Sequence, residues 1–186
     1  MPTDRRTEQA LIELYAGTLV DGLSAEGGME AVIAGRRQLD RIIEYHYSNV
    51  ELGEFADDPT YSPEQRSQVV RTVLEGSQPA LVSVVGIMAE RREFGNLTKV
   101  RSRFNQKVVE KLNTSIVDVT TRVPLDDHLR EVIKNKAASE LGTDIVLDEH
   151  VDETMLGGII MKANGKRIDA SMNTMLSRAR SVLKEN

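Results

Sequence analysis

Apolar residues recur at helical spacing from the first residues to about position 113, with no clear strand among them, and there the regularity ends. A chain with this break folds as two unlike halves. The first half reads as six helices. One starts at Thr3 or Thr7 and is ended by Gly22 and the Ser24–Gly28 stretch. A second carries Met29, Val32, Ile33, Leu39, Ile42 and Ile43 on one side, and a short third falls within 48–55. Ser62-Pro63-Glu64 starts a fourth, whose expected buried stripe is Val69, Val70, Val73 and Leu74. The fifth starts at Ser77-Gln78-Pro79 and continues to about Phe94. Asn96 then caps a sixth, with Leu97, Val100, Phe104 and Val108 on one face. Short connections between six helices imply a compact bundle.

The second half alternates. Ser115–Thr121 is a β-branched run typical of a strand, and Pro124 ends it. Leu125, Leu129, Val132, Ile133, Ala137 and Leu141 mark a helix, and 144–148 a second short strand. Ala163-Asn164-Gly165 between 159–162 and 166–168 is a hairpin signal, because both turn positions tolerate positive φ. Ser171 can cap a last helix with the stripe Met172, Met175, Leu176, Ala179, Val182 and Leu183. The expected fold is mainly α: a six-helix bundle over 1–113, then a small α/β (α+β) domain over 114–186.

Composition narrows the chemistry. The chain has no Cys, which excludes disulfides, thiolate zinc and a cysteine nucleophile. Its 24 Lys and Arg stand against 29 Asp and Glu, a net charge of −5 that disfavours general attraction to nucleic acid or anionic lipid. No apolar run reaches the roughly 18 residues of a membrane span, and the N-terminal arginines have no secretory apolar region behind them. His46, His128 and His150 are far apart in sequence and outside any metalloprotease pattern. Around Gly165-Lys166, Ile160 and Arg167 stand where a phosphate loop needs Gly and Ser or Thr. The acidic 148–153 stretch lacks the glycine and closing Glu of a calcium loop and reads as a solvated turn. No catalytic, cofactor or metal residue is assigned.

Two features remain. Residues 91–111 carry seven basic residues (Arg91, Arg92, Lys99, Arg101, Arg103, Lys107 and Lys111), either a phosphate-contacting helix or a solvated face paired with acids between Asp40 and Glu64. The other is apolar width. At about 100° per residue, apolar side chains spread over about 240° of the first helix, where a surface helix needs a stripe somewhat above about 100°. The fifth leaves a gap only at Ser83, Gly86 and Glu90. Either both helices are central and covered by their neighbours, or a groove between them receives a helix from another protein.

The order of several short motifs resembles the family of the delta subunit of bacterial F-type ATP synthase and the mitochondrial oligomycin sensitivity-conferring protein, over essentially the full length. Tyr15-Ala16 with Leu19 and Glu26-Gly27 is similar to its opening helix, and Phe55-Ala-Asp-Asp-Pro59 to a later loop. Asp152-Glu-Thr-Met-Leu-Gly157-Gly158 resembles its D-x-x-x-L-G-G, and Ile168-Asp169-Ala170-Ser171 its I-D-G-S, with Ala170 in place of Gly. Its S-A-x-P-L stands here as Thr121-Arg122-Val123-Pro124-Leu125, with Arg122 replacing a small residue. The resemblance implies a non-catalytic stator part at the cytoplasmic face of a bacterial membrane, touching that membrane only through the complex. It implies that the bundle binds the N-terminal helix of an alpha subunit between its first and fifth helices, and that the second domain engages b-type stalk helices. Carried over by position, the partner-binding residues are Leu11, Tyr15, Thr18, Leu19, Leu81, Val84, Val85 and Met88. Cofactors and nucleic acid are not implied; a nucleic-acid adaptor using 91–111 is the alternative.

Overall fold

The structure is a computed structural model that describes residues 5–49, 55 and 58–171. The chain divides into two compact units, Met1–Lys107 and Val108–Asn186.

The first unit opens with α1 (Arg5–Ser48), in which the expected first and second helices are one element broken at Gly27 and Gly28. Gly28 has φ 61 and ψ −145, a conformation open essentially to glycine alone. The two arms fold back on one another. A Cβ placed on Gly35 would lie 2.5 Å from a methyl carbon of Leu23, whereas twelve residues of straight helix span about 18 Å. Gly22 therefore does not end a helix; it lies inside the first arm.

α2 (Pro63–Val73) starts where the Ser62-Pro63 signal places it. The Ser62 hydroxyl accepts from the Gln65 amide at 3.3 Å, and the Gln65 side chain accepts from the Ser62 amide at 2.8 Å, a reciprocal capping box. The expected buried stripe is corrected. Val70 and Leu74 are buried, but Val69 and Val73 face out, and Arg66 and Ser67 take the inner positions. The reason is polar. Arg66 is a buried cation whose guanidinium donates to the carbonyls of Ala89 (3.0 Å), Glu90 (2.8 Å), Asp58 (3.3 Å) and Tyr61. It thereby satisfies carbonyls at the end of α3 (Pro79–Glu90), which have no partner within that helix.

The start of α3 is capped from α1. The Gln78 amide donates to the Gln38 side chain at 3.0 Å, and the Ala80 amide to Glu26 at 2.7 Å. α3 stops at Glu90, short of the expected Phe94, because Arg92 turns to φ 55. A 3-10 turn, Phe94–Asn96, leads into α4 (Leu97–Leu112). The six-helix bundle is thus corrected. Among the described residues the whole chain has five α-helices, four of them starting in the first unit. The expected third helix falls, apart from Ser48, Asn49 and Phe55, outside the described residues.

In the second unit β1 (Thr114–Thr121) is followed by α5 (Asp127–Leu141), β2 (Asp144–Val151), β3 (Gly158–Ala163) and β4 (Lys166–Ser171). The sheet order is β2-β1-β3-β4, with β1 and β2 parallel and the other pairs antiparallel. Asp126 caps α5 by accepting from the Leu129 amide at 2.7 Å, and Gly142 ends it at φ 69. Val117, Val119, Leu125 and Ile133 form the core. Leu129 and Val132, expected there, are exposed. β2 outruns its predicted 144–148 because β1 pairs with it along its whole length, from Thr114↔Asp144 to Thr121↔Val151. The acidic 148–153 stretch is therefore mostly strand, with the turn beyond it. The hairpin turns at Asn164 (φ 48) and Gly165 (φ 78), as the Asn-Gly signal requires. The helix expected from Met172 lies outside the described residues.

Removing the Arg66 side chain leaves four carbonyls short of a charged donor. Arg66→Ala is expected to lower the unfolding free energy by about 2–4 kcal/mol, read as a drop in the urea midpoint. Arg66→Lys, lacking the planar fork, is expected to recover less than half of that loss.

Candidate functional site

The eight sequence-selected residues separate sharply. Tyr15 and Leu19 of α1 and Leu81, Val84, Val85 and Met88 of α3 are buried in the first unit; Leu11 is half-buried and Thr18 exposed. The open groove expected between these residues is therefore corrected: six of them are the unit's own core.

The cause is a close antiparallel contact. The Tyr15 hydroxyl donates to Glu93, just beyond the end of α3, while Gly22 meets Ala80 at its start. A Cβ on Gly22 would lie 2.6 Å from that of Ala80, so no foreign helix passes between the two. Both helices are also covered on a second side. α4 is ion-paired to the first arm of α1, and α2 packs on Gly86 of α3, where a Cβ would sit 3.2 Å from the Ser67 hydroxyl. The apolar width reflects central position. Burial and the Glu93 contact raise the Tyr15 pKa above its ordinary value, against an opposing hydrogen bond with Arg91.

What stays open is a shallower feature. On α1 the outward stripe is Leu14 (60% exposed), Thr18 and Asp21, bordered by Leu11. On α3 it is Ser83 and Ile87 (39% exposed). At about 100° per residue, each stripe lies to the same rotational side of its helix's contact line. Because the helices are antiparallel, both stripes then open on one side of the pair. Leu11, Leu14, Thr18, Ser83 and Ile87 thus border one furrow floored by the sealed residues. Leu14, Ser83 and Ile87 are absent from the sequence-selected set. Their signal was only the helical phase, which a nearly all-round apolar helix blurs.

The basic segment is bound up within the first unit. Lys99 pairs with Glu8 at 2.5 Å, Arg101 with Asp40 through two bonds of 2.5 and 2.9 Å, and both Arg103 and Lys107 with Glu13. Of the three acids in these pairs, Asp40 belongs to the 40–64 stretch expected to supply the partners, and Glu8 and Glu13 do not. With these four of the seven cations engaged, the segment offers less free charge to a polyanion than its sequence suggests. Arg103 and Lys107, by hydrogen bonds and charge, hold the Glu13 carboxyl at about 2.

The histidines stand apart. His46 packs on Phe94 at 5.2 Å between ring centres, and His128 is exposed. His150 lies 3.4 Å from the buried Asp148, and these two with Asp118 bring one ligand atom each within 4.8 Å. Asp118 and Asp148 stand opposite one another on β1 and β2, and both carboxylates are engaged in interactions within the protein. Among the described residues no helix is long and apolar enough to cross a membrane.

Comparison with known proteins gives a consistent result. Residues 12–183 match the family model described as ATP synthase delta (OSCP) subunit. The chain is 29% identical to ATP synthase subunit delta of Azorhizobium caulinodans over 173 residues, 92% of this chain and 91% of that one. It is 27% identical to the subunit of the same name from Xanthobacter autotrophicus, over 92% of this chain and 85% of that one. A chain in the cryo-EM structure of the Toxoplasma gondii mitochondrial ATP synthase hexamer shares the fold, with a TM-score of 0.50 at 19% identity over 92% of this chain and 96% of that one.

The Glu13 pairing has a pH signature. A carboxylate held at about 2 in the folded state stabilises that state above its ordinary value near 4.5, and the effect is lost as pH falls through about 2. The stability difference between the native chain and Glu13→Gln, measured by urea unfolding, is expected to shrink from pH 5 to pH 2 and nearly vanish below.

Proposed function

The chain belongs to the ATP synthase delta (OSCP) subunit family, structural rather than catalytic components of the peripheral stalk, and from that premise we propose that it is a stator adaptor. In this reading the first unit holds the catalytic head by the N-terminal helix of an alpha subunit. The second unit engages the b-type stalk polypeptide, and ATP is made or hydrolysed elsewhere in the complex. The protein sits peripherally at the cytoplasmic face of a bacterial membrane and touches that membrane only through its partners.

The observation that carries the reading is the exposed apolar edge left on a pair of helices whose other sides are closed. Leu14 and Ile87 face solvent in a unit that buries most other large aliphatic side chains of the same helices. Helix-in-groove recognition needs a few such anchors, each contributing about 1.5–3 kcal/mol when covered. Aliphatic contact is little screened by salt, which suits a joint that must not release under load. Most affinity differences between related complexes lie in the off-rate, the quantity a tether must keep low. The residues proposed to touch the partner are accordingly Leu11, Leu14, Thr18, Ser83 and Ile87. Tyr15, Leu19, Leu81, Val84, Val85 and Met88 hold the furrow's floor in place.

Calorimetry with the full chain and a synthetic alpha-subunit N-terminal peptide tests this. Leu14→Asp and Ile87→Asp are each expected to weaken binding at least tenfold while the thermal melt stays near that of the native chain. Tyr15→Asp is expected to lower the melt itself, since it places a carboxylate in the core beside Glu93. Unchanged affinity in both exposed-site variants would exclude the furrow.

A further inference from the structure

The outward face of α3 has a second border besides α1. At about 100° per residue, Ser83 and Ile87 lie on the arc between Ala80, which meets α1, and Gly86, which meets α2. The strip they form is therefore walled on both sides. Leu14 and Thr18 stand on the α1 side, and Arg71 on the α2 side. By the same rotation, Arg71 occupies the flank of α2 opposite Val69 and Val73. Its guanidinium lies against α3 where Gly86 has no side chain: a Cβ there would sit 3.2 Å from both Nε and Nη2 of Arg71.

Arg71 is half-buried, and its Nε donates to the Ser67 hydroxyl at 3.0 Å. Among the described residues the N–H groups of its two Nη atoms have no acceptor. The other cations packed into this unit differ. Lys99, Arg101, Arg103 and Lys107 each hold a carboxylate, and Arg66 holds carbonyls. The carboxylates nearest Arg71 in the two helices are turned elsewhere. Glu64 bonds to Ser62 at the start of α2, Glu75 lines a cleft with Val73 on the opposite flank, and the charge of Glu90 acts on Arg91. A guanidinium in this position has lost part of its hydration without gaining the charge-assisted bonds that offset the loss. A carboxylate supplies them, because its two oxygens match the planar fork.

We propose that Arg71 pairs with an Asp or Glu side chain of the helix that covers Ile87, and so fixes the register of that helix along the strip. That the helix is the N-terminal one of an alpha subunit rests on the stator reading. Its apolar row covers Leu14 and Ile87, and the acid stands on the flank turned to α2. The acid lies within one turn of the residue over Ile87, because Gly86 and Ile87 are neighbours on α3. Aliphatic edges alone hold a helix almost as well after it slides by one turn. A charged pair does not, since the slide carries the acid away from Arg71 and leaves both charges without a partner.

A double-mutant cycle by calorimetry tests this, with the full chain and the synthetic alpha-subunit N-terminal peptide. Arg71→Met removes the charge at similar length, and Arg71→Gln keeps a donor for Ser67. In the peptide each Asp or Glu is replaced in turn by its amide. Both variants of the chain are expected to bind the native peptide about tenfold more weakly, with thermal melts near that of the native chain. One amide peptide is expected to lose the same factor against the native chain and nothing further against either variant. That coupling is a readout which a purely structural role of Arg71 would not move. Native affinity in both variants would overturn the pairing, and so would losses from every amide peptide that are equal in native and variant chains. Either result leaves the furrow reading standing if Leu14→Asp and Ile87→Asp still weaken binding. A folded native chain that does not bind the peptide would end both the pairing and the head contact of the stator reading.

Discussion

The first unit depends on one close helix-to-helix contact. Gly22 meets Ala80 with no room for a further carbon, and the same two helices are pinned at both ends. Glu26 and Gln38 of α1 accept the amides that open α3, and Tyr15 reaches Glu93 just past its end. Remove the small residue and the helices separate, and the side chains between them lose their cover. This contact sorts every apolar residue of the two helices into floor or edge, and so decides what another protein can reach.

The ion pairs of α4 act on a second level. They bind Glu8, Glu13 and Asp40, which stand on both arms of the folded-back α1. Most are partly exposed, and such pairs contribute little each. Their clearer effect is on specificity, because they orient the helix and withdraw its cations from long-range attraction of polyanions. A chain with a strongly basic segment thereby presents little of it. That fits the proposed reading, in which aliphatic edges rather than the charges of this helix meet a partner.

Local signals were read correctly from sequence, and tertiary ones were not. The Ser62-Pro63 start and the Asn164-Gly165 turn depend on a few neighbouring residues and appear where expected. The two halves were visible as a change of period. Which valines of α2 face inward was not, since Arg66 claims the inner side through carbonyls more than twenty residues away. The extent of β2 was set by its partner strand, not by its own residues. The first and fifth expected helices stand out in the sequence by their apolar width, but the sequence leaves both a central position and a groove open as its reason. Sequence cannot separate a helix that is central from one awaiting a partner, because both require apolar residues nearly all round. Only the contact partners of Gly22 and Gly86 distinguish them.

Arg66 has a consequence for working conditions. All four groups that receive its hydrogen bonds are peptide oxygens, and none gains or loses a proton in water. A joint of this kind between α2 and the end of α3 keeps its strength while the surrounding medium acidifies or turns alkaline. For a structural subunit, it is a fastening that a change in acidity does not loosen.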